Sequence, residues 1–102
     1  MDKVLLVEDE DIIRRGLLYA VDWLKEDCVV VGEAMDGIDG LKKIDTLRPD
    51  IVITDVKMPY LDGLGMLEQS RDRGYEAIIL SGYDEFSYAK RAISLDVAEY
   101  LL

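Results

Sequence analysis

Hydrophobic residues in this chain fall into short runs that are separated by segments with a different spacing. Five such runs occur, at positions 4–7, 29–32, 51–54, 77–80 and 97–102. The first four are continuous rather than alternating, and they are rich in valine and isoleucine, which is typical of strands buried on both faces. The pattern therefore predicts five strands, of which at least the first four lie in a parallel sheet.

The segments between these runs carry apolar residues three or four positions apart, which indicates helices. Asp11, Asp36 and Asp84 stand where side chains commonly cap helix starts, and Gly74 stands where the third helix is expected to end. We predict four helices, over 11–25, 36–47, 61–71 and 84–95.

Strands and helices alternate in this reading, which predicts an α/β fold with helices on both faces of a parallel sheet. Right-handed crossovers leave few topologies, and the doubly wound, flavodoxin-like strand order 2-1-3-4-5 is the one we expect. A chain of 102 residues, half of them hydrophobic, fits one domain.

Composition narrows the function classes. The net charge is −10 and there is no histidine, which argues against nucleic-acid binding by this chain but suits metal cations and basic partner surfaces. The single cysteine, Cys28, lies in an apolar run and is expected to be a buried reduced thiol. No signal peptide is apparent, and no apolar run approaches the ~18 residues of a membrane span, so we expect a cytoplasmic protein that does not contact membranes.

Polar residues that follow the predicted strands are the candidates for chemistry. Glu8 and Asp9 follow the first strand, Asp55 follows the third, and Ser81 follows the fourth. In open α/β sheets ligands bind beyond the carboxyl ends of the strands, and strands one, three and four are neighbours in the expected order. These side chains should therefore converge at one edge of the sheet.

Three convergent carboxylates repel one another strongly. Two unit charges 4 Å apart repel by roughly 4 kcal/mol at an effective dielectric constant near 20. Either one acid keeps its proton or a cation lies among them. A site with oxygen ligands and no histidine or cysteine favours a hard cation, Mg²⁺ above all.

Each feature also has a structural interpretation. The acidic run from Glu8 to Asp11 can favour the positive end of the first helix dipole. Asp55 can cap the turn before Met58-Pro59, and Ser81-Gly82 can be an ordinary turn. The functional interpretation rests on all of them falling at the same edge of the sheet.

Three stretches carry a family resemblance: "VLLVEDE", "PDIVITDVKMPYLDGL" and "IILSGYDEFSYAKRAISLDVAEYLL". Together they resemble the CheY-like receiver domain of response regulators in bacterial two-component systems, and the match covers essentially all of residues 1–102 as one domain. The segment "SGYDEFSYAKRAI" is most similar to the corresponding segment of receivers that precede an AraC-type DNA-binding domain.

The resemblance implies a signalling phosphoacceptor rather than an enzyme in the usual sense. It implies that Asp55 is the nucleophile that takes a phosphoryl group from a sensor histidine kinase. It further implies a Mg²⁺ cofactor held by Glu8, Asp9 and Asp55 together with the backbone carbonyl of Lys57.

The resemblance also implies a switch. Ser81 would supply the hydroxyl that bonds the phosphoryl group, and Tyr100 would change rotamer when Ser81 moves. The surface of the fourth helix and fifth strand would then change, and DNA would be reached only through an output domain outside this chain.

Two departures from the family pattern stand out. The family expects a lysine just after the fifth strand and then a fifth helix, whereas the chain ends at Leu102, so we expect a truncated domain. Glu8 replaces the commoner aspartate of the acidic pair. A receiver that no longer takes phosphate is therefore an open alternative.

A magnesium-dependent phosphatase with an aspartate nucleophile is a further alternative. That class resembles "DxDx" after its first strand, whereas this chain has "DVKM" after its third, with Lys57 where the second aspartate should be. A flavin carrier of the same topology is disfavoured, because "EDEDII" after the first strand has the wrong charge for a phosphate loop.

A sheet face without its fifth helix should expose an apolar patch, and such patches usually find a partner. We therefore predict self-association, in which a terminal element is exchanged between chains. Light scattering at tens of micromolar protein should give a mass above that of one chain, and a monomer mass would contradict the prediction.

Overall fold

A computed structural model of the chain describes residues 1–80 and the backbone of residues 99–101. The elements in chain order are β1 (Asp2–Val7), α1 (Asp11–Ala20), β2 (Cys28–Ala34), α2 (Gly37–Leu47), β3 (Ile51–Thr54), α3 (Gly63–Ser70) with a 3-10 turn (Arg71–Arg73), β4 (Glu76–Leu80) and β5 (Glu99–Leu101). The helix predicted over 84–95 lies outside the described residues.

Five parallel strands of the described part of the chain form one sheet, in the order β2-β1-β3-β4-β5. This confirms the predicted α/β class and strand order. Val7 at the end of β1 lies opposite Ala34 of β2 on one side and Thr54 of β3 on the other. Thr54 in turn lies opposite Ile79 of β4, so the carboxyl ends of neighbouring strands are level with one another.

The main core lies between the sheet and the helices α2 and α3. Successive residues of a strand point to opposite faces, so alternate strand residues reach this core. The buried residues that form it are Leu5, Val7, Ala34, Ile44, Val52, Val56, Leu64, Met66, Leu67, Ala77 and Ile79. In β1 the run from Val4 to Val7 is buried on both faces, as its sequence pattern predicts, whereas in β3 and β4 buried residues alternate with partly buried ones.

A smaller core lies on the opposite face of the sheet. Val4, Leu6 and Cys28 are buried there, and the partly buried Trp23 packs against them and donates from Nε1 to the carbonyl oxygen of Leu18 at 3.1 Å. Cys28 is free and buried, as expected. None of the helices in the described ranges is long and apolar enough to cross a membrane.

The first helix is shorter than predicted and is rotated differently. It ends at Ala20 rather than near position 25, because the backbone at Val21 is extended and the N–H of Cys28 then bonds the Trp23 carbonyl at 2.8 Å in a turn. Ile13, one of the apolar residues whose spacing predicts this helix, is 46% exposed, while Arg14 is the residue of α1 that is buried. Apolar spacing did not reveal this, since a guanidinium with enough hydrogen-bond partners can occupy a buried position.

Helix caps account for the starts of α2 and α3. The Asp36 side chain accepts from the N–H of Asp39 at 2.8 Å, as the sequence predicts. Asp62 accepts from the N–H of Gly65 at 2.7 Å, which starts α3 at Gly63 rather than at the predicted position 61. Asp11 does not cap α1, because it already lies in the first helical turn.

Gly63 and Gly16 give a test of how tightly the β3–α3 connection is packed. A Cβ added to Gly63 would lie 1.9 Å from the carbonyl oxygen of Asp55, whereas a Cβ added to Gly16 would have no heavy atom within 4 Å. We expect Gly63→Ala to lower the free energy of unfolding by about 1–3 kcal/mol, because backbone must move. Gly16→Ala in α1 should raise it by about 0.5–1 kcal/mol. Urea denaturation measures both, and equal midpoints for Gly63→Ala and the unmodified chain would contradict the packing.

Candidate functional site

The backbone at the carboxyl edge of the sheet brings two acidic positions together. Glu8 and Asp55 directly follow Val7 and Thr54, which are paired across β1 and β3. The N–H of Asp55 donates to the carbonyl oxygen of Val7 at 3.1 Å, and the N–H of Glu8 donates to that of Ala34 at 2.9 Å. Both acids are thus held by the ladder of the sheet rather than by flexible loops.

Three carboxyl groups meet at this edge. Each of Glu8, Asp9 and Asp55 contributes one carboxylate oxygen, and these three oxygens lie within 4.8 Å of one another. Glu8 is 5% exposed, Asp55 is half-buried and Asp9 is exposed. The cluster is therefore buried at Glu8 and open to solvent at Asp9.

Burial dominates the electrostatics of Glu8. It raises the pKa of the Glu8 carboxyl to about 8, and a hydrogen bond with Asp9 and the negative charges of Asp55 and Asp9 act in the same direction. The N–H of Glu10 donates to Glu8 Oε2 at 3.2 Å and opposes the rise. Without a cation, Glu8 therefore keeps a proton near neutral pH.

Asp55 is shifted in the same direction. Burial is the main cause of its raised pKa, and the charges of Asp9 and Glu10 add to it. The N–H of Val56, which donates to Asp55 Oδ1 at 2.7 Å, and a hydrogen bond with Glu8 favour the ionised form. The pKa values of Glu8 and Asp55 are thus both raised, mainly by burial.

The segment after β3 fixes the position of Asp55. Thr54 Oγ1 donates to the carbonyl oxygen of Asp55 at 2.8 Å, and the N–H of Gly63 donates to that of Val56 at 2.7 Å. Gly63 approaches the Asp55 carbonyl so closely that no side chain fits there. The candidate nucleophile is therefore positioned by backbone contacts from both sides.

The other predicted site residues are placed less completely. Lys57 is exposed in the connection between β3 and α3, and the role of its backbone carbonyl as a ligand stays a prediction. Ser81 lies outside the described residues. Tyr100 lies in β5 opposite Ile79, and its side chain is outside the described part of the structure, so both switch roles stay predictions.

Sequence reasoning missed one residue that contacts this site. Arg14 donates from Nη1 to the carbonyl oxygen of Glu8 at 2.9 Å. The signal available in the sequence was weak: Asp11 and Arg14 have the spacing of an ion pair within a helix, and Glu33 stands near the end of the second strand.

The donor set of the cluster suits a hard divalent cation. Its side-chain donors are carboxylate oxygens only, which Mg²⁺ prefers. Burial is the main cause of the raised pKa of Glu8, and the negative charges of Asp55 and Asp9 add to it, so a cation among the three carboxyl groups would favour their ionised forms. The residues present therefore fit Mg²⁺.

Comparisons with known proteins agree on one family. The model of the family described as "Response regulator receiver domain" matches residues 4–102. An uncharacterised response regulatory protein of Staphylococcus epidermidis is 39% identical over 102 residues, which are 100% of this chain and 41% of that protein. The transcriptional regulatory protein HptR of Staphylococcus aureus is 38% identical over all of this chain and 40% of its own length. The chain thus spans about two fifths of these curated relatives.

A solved structure supports the same assignment. The REC domain of AraT, a response regulator from Geobacillus stearothermophilus, superposes with a TM-score of 0.91 at 42% sequence identity. The match covers 99% of this chain and 80% of that one. The fold and the sequence therefore point to the same class of domain.

The pKa of Glu8 predicts how stability depends on pH. Its pKa rises from the ordinary 4.5 to about 8, so between these values the folded protein holds a proton that the unfolded chain has released. The free energy of unfolding of the metal-free protein should therefore fall as pH rises through this window. Urea midpoints in EDTA between pH 5 and pH 9 measure it.

Glu8→Gln is the matched control, because its amide keeps the shape of the carboxylic acid and does not ionise. The midpoint of the unmodified chain should drop relative to that of Glu8→Gln as pH rises, and saturating Mg²⁺ should reduce the drop in the unmodified chain. If the difference between the two urea midpoints in EDTA stayed constant from pH 5 to pH 9, the pKa of Glu8 would not be raised.

Proposed function

The chain belongs to the response regulator receiver domain family, and we propose from this that it is a phosphoacceptor switched by a sensor histidine kinase. The observation that carries the proposal is the convergence of Glu8, Asp9 and Asp55 within 4.8 Å at the carboxyl edge of the sheet. Receiver domains are signalling modules of two-component systems, and we propose that Asp55 is the phosphoacceptor here.

In the proposed transfer, Asp55 acts as a nucleophile. A carboxylate oxygen attacks the phosphorus of a phosphohistidine, a P–O bond forms, and the P–N bond breaks with its electron pair going to the imidazole, which takes a proton from solvent. Such transfers depend on positioning and charge neutralisation more than on a base. The backbone contacts that hold Asp55, from Val7 and Gly63, supply the positioning.

We propose that Glu8, Asp9 and Asp55 hold Mg²⁺ together with the backbone carbonyl of Lys57. When bound, the ion would supply the positive charge that lets phosphoryl oxygens approach an acidic edge. Glu8 would release its proton on binding, since metal ligands are deprotonated. Asp9 is exposed and lies on the open side of the cluster, where a donor can approach.

The product would act as an electrostatic switch. An aspartyl phosphate adds nearly two negative charges at the sheet edge. In the proposal, the Ser81 hydroxyl bonds the phosphoryl group, Tyr100 changes rotamer, and the surface of the fourth helix and β5 changes with it. Transcription would be controlled through an output domain outside this chain, in a cytoplasmic protein with a kinase as its upstream partner.

Phosphorylation of Asp55 is tested by mass spectrometry. Incubation with a small-molecule phosphodonor and Mg²⁺ should add the mass of one phosphoryl group, which resists acid and is lost in base. Asp55→Asn should abolish the gain, because an amide is not a nucleophile toward phosphorus. The exposed Asp72→Asn is the matched control and should leave the gain unchanged. An equal gain in Asp55→Asn would falsify the assignment.

A titration with beryllofluoride and Mg²⁺, followed by NMR, separates a working switch from an inert module. Shifts of the amide signals of Asp55 and Ser81 are expected if the site accepts a phosphoryl analogue. No shift at either residue would favour a receiver that only mediates protein contacts.

A further inference from the structure

The buried arginine of α1 is the feature that the proposed function does not use. Arg14 is 7% exposed, and it is the buried residue of this helix. Removing a guanidinium from water is costly unless its donors are paired and its charge is balanced. Its partners therefore indicate why the charge is there.

Arg14 bonds three separate segments of the chain. Nη1 donates to the backbone carbonyl of Glu8 at 2.9 Å, beyond the end of β1. Nε donates to Glu33 Oε1 at 3.0 Å on β2, and Nη2 donates to Asp11 Oδ1 at 2.6 Å in the first turn of α1. Burial acts to lower the pKa of the guanidinium, but the carboxylates of Asp11 and Glu33 raise it above its ordinary value, so the group stays charged. The planar group thus joins β1, β2 and α1 around the turn that carries the acidic pair.

Glu33 is itself held from the other side of the sheet. Lys43 Nζ on α2 donates to the backbone carbonyl of Glu33 and to Asp39 Oδ2, the latter at 3.2 Å. The partner that orients Arg14 is therefore fixed to α2 as well as to β2.

The bond from Arg14 to Glu8 is made to the peptide group that connects two of the clustered acids. The N–H of Glu8 is held by the Ala34 carbonyl, and its own carbonyl is held by Arg14. Both peptide groups that flank the Glu8 Cα are therefore fixed, and the second of them leads directly into Asp9. If Arg14 is lost, the peptide between Glu8 and Asp9 loses its charged donor and can rotate, which moves both carboxylates relative to Asp55.

We propose that Arg14 is a positioning residue that sets the affinity of the acidic cluster for Mg²⁺ by holding the Glu8–Asp9 peptide. The inference rests on the proposed function, since it takes Glu8, Asp9 and Asp55 as the ligands. Arg14 does not touch the ion. It acts through the backbone that orients two of the ligands.

Loss of the Arg14 charge and loss of its positioning role should change the Mg²⁺ affinity in opposite directions, which makes the proposal testable. Removing a positive charge beside an anionic site should by itself strengthen the binding of a cation. Loss of positioning should weaken it, and changes to groups that orient metal ligands typically cost about 10–100-fold in affinity. We expect Arg14→Gln to weaken Mg²⁺ binding by about tenfold or more, measured by isothermal titration calorimetry.

Three variants isolate the effect. Arg15→Gln removes the same charge from an exposed position of α1 and should bind Mg²⁺ as tightly as the unmodified chain, or slightly more tightly. Arg14→Lys keeps the charge but cannot reach three acceptors in one plane, so its affinity should also fall. Ile44→Val, on the buried face of α2, is the control for a loss of stability alone and should leave the affinity unchanged.

A second readout reports the peptide itself. Amide hydrogen exchange at Asp9 and Glu10 in metal-free protein should be faster in Arg14→Gln and Arg14→Lys, and unchanged in Arg15→Gln. If Arg14→Gln does not fold, Arg14→Lys decides the outcome by the same two measurements.

The failures of the two proposals are distinguishable. If the unmodified chain binds Mg²⁺ and both Arg14 variants bind it within twofold of the same affinity, the role of Arg14 is wrong and the proposed function stands. If the unmodified chain does not bind Mg²⁺, or if Asp55→Asn binds it as tightly, the metal site of the proposed function is wrong. The inference about Arg14 is then wrong as well.

Discussion

Repulsion between carboxylates at one edge of a parallel sheet is the constraint on which the rest of this structure depends. The register places the residues that follow β1 and β3 side by side, and both are acids. Burial makes this worse for Glu8, whose pKa rises to about 8. A site of this kind stores unfavourable electrostatic energy that a cation relieves, and relief of that energy is what makes it selective for positive charge.

Much of the surrounding structure holds the backbone of these acidic residues in place. The sheet ladder holds the backbone of Glu8 and Asp55, and Gly63 allows the β3–α3 connection to press against the Asp55 carbonyl. Arg14 holds the Glu8 carbonyl and is itself held by Glu33. The backbone positions of Glu8 and Asp55 are therefore fixed close together, and protonation or binding of a cation relieves the repulsion between their carboxylates.

Most of the fold could be predicted from the sequence, because the relevant signals are local. Continuous apolar runs such as 51–54 predict strands. Asp36 is a residue type that caps helix starts, and in the structure it accepts a hydrogen bond from the N–H of Asp39. The order of the strands followed from alternation and handedness. The rotation of α1 could not be predicted, because helical spacing does not distinguish a buried arginine with partners from an exposed one, and one of those partners, Glu33 of β2, is distant in the chain.

The sequence by itself determined the class of fold, the strand order and the set of candidate acids, Glu8, Asp9 and Asp55. These depend on hydrophobic periodicity and on the position of each acid after a strand, both of which are properties of neighbouring residues. Only the tertiary structure decided that Glu8 is buried, that its pKa is raised, and that Arg14 holds its carbonyl. Burial and charge balance depend on groups that are distant in the chain, and folding alone brings those groups together.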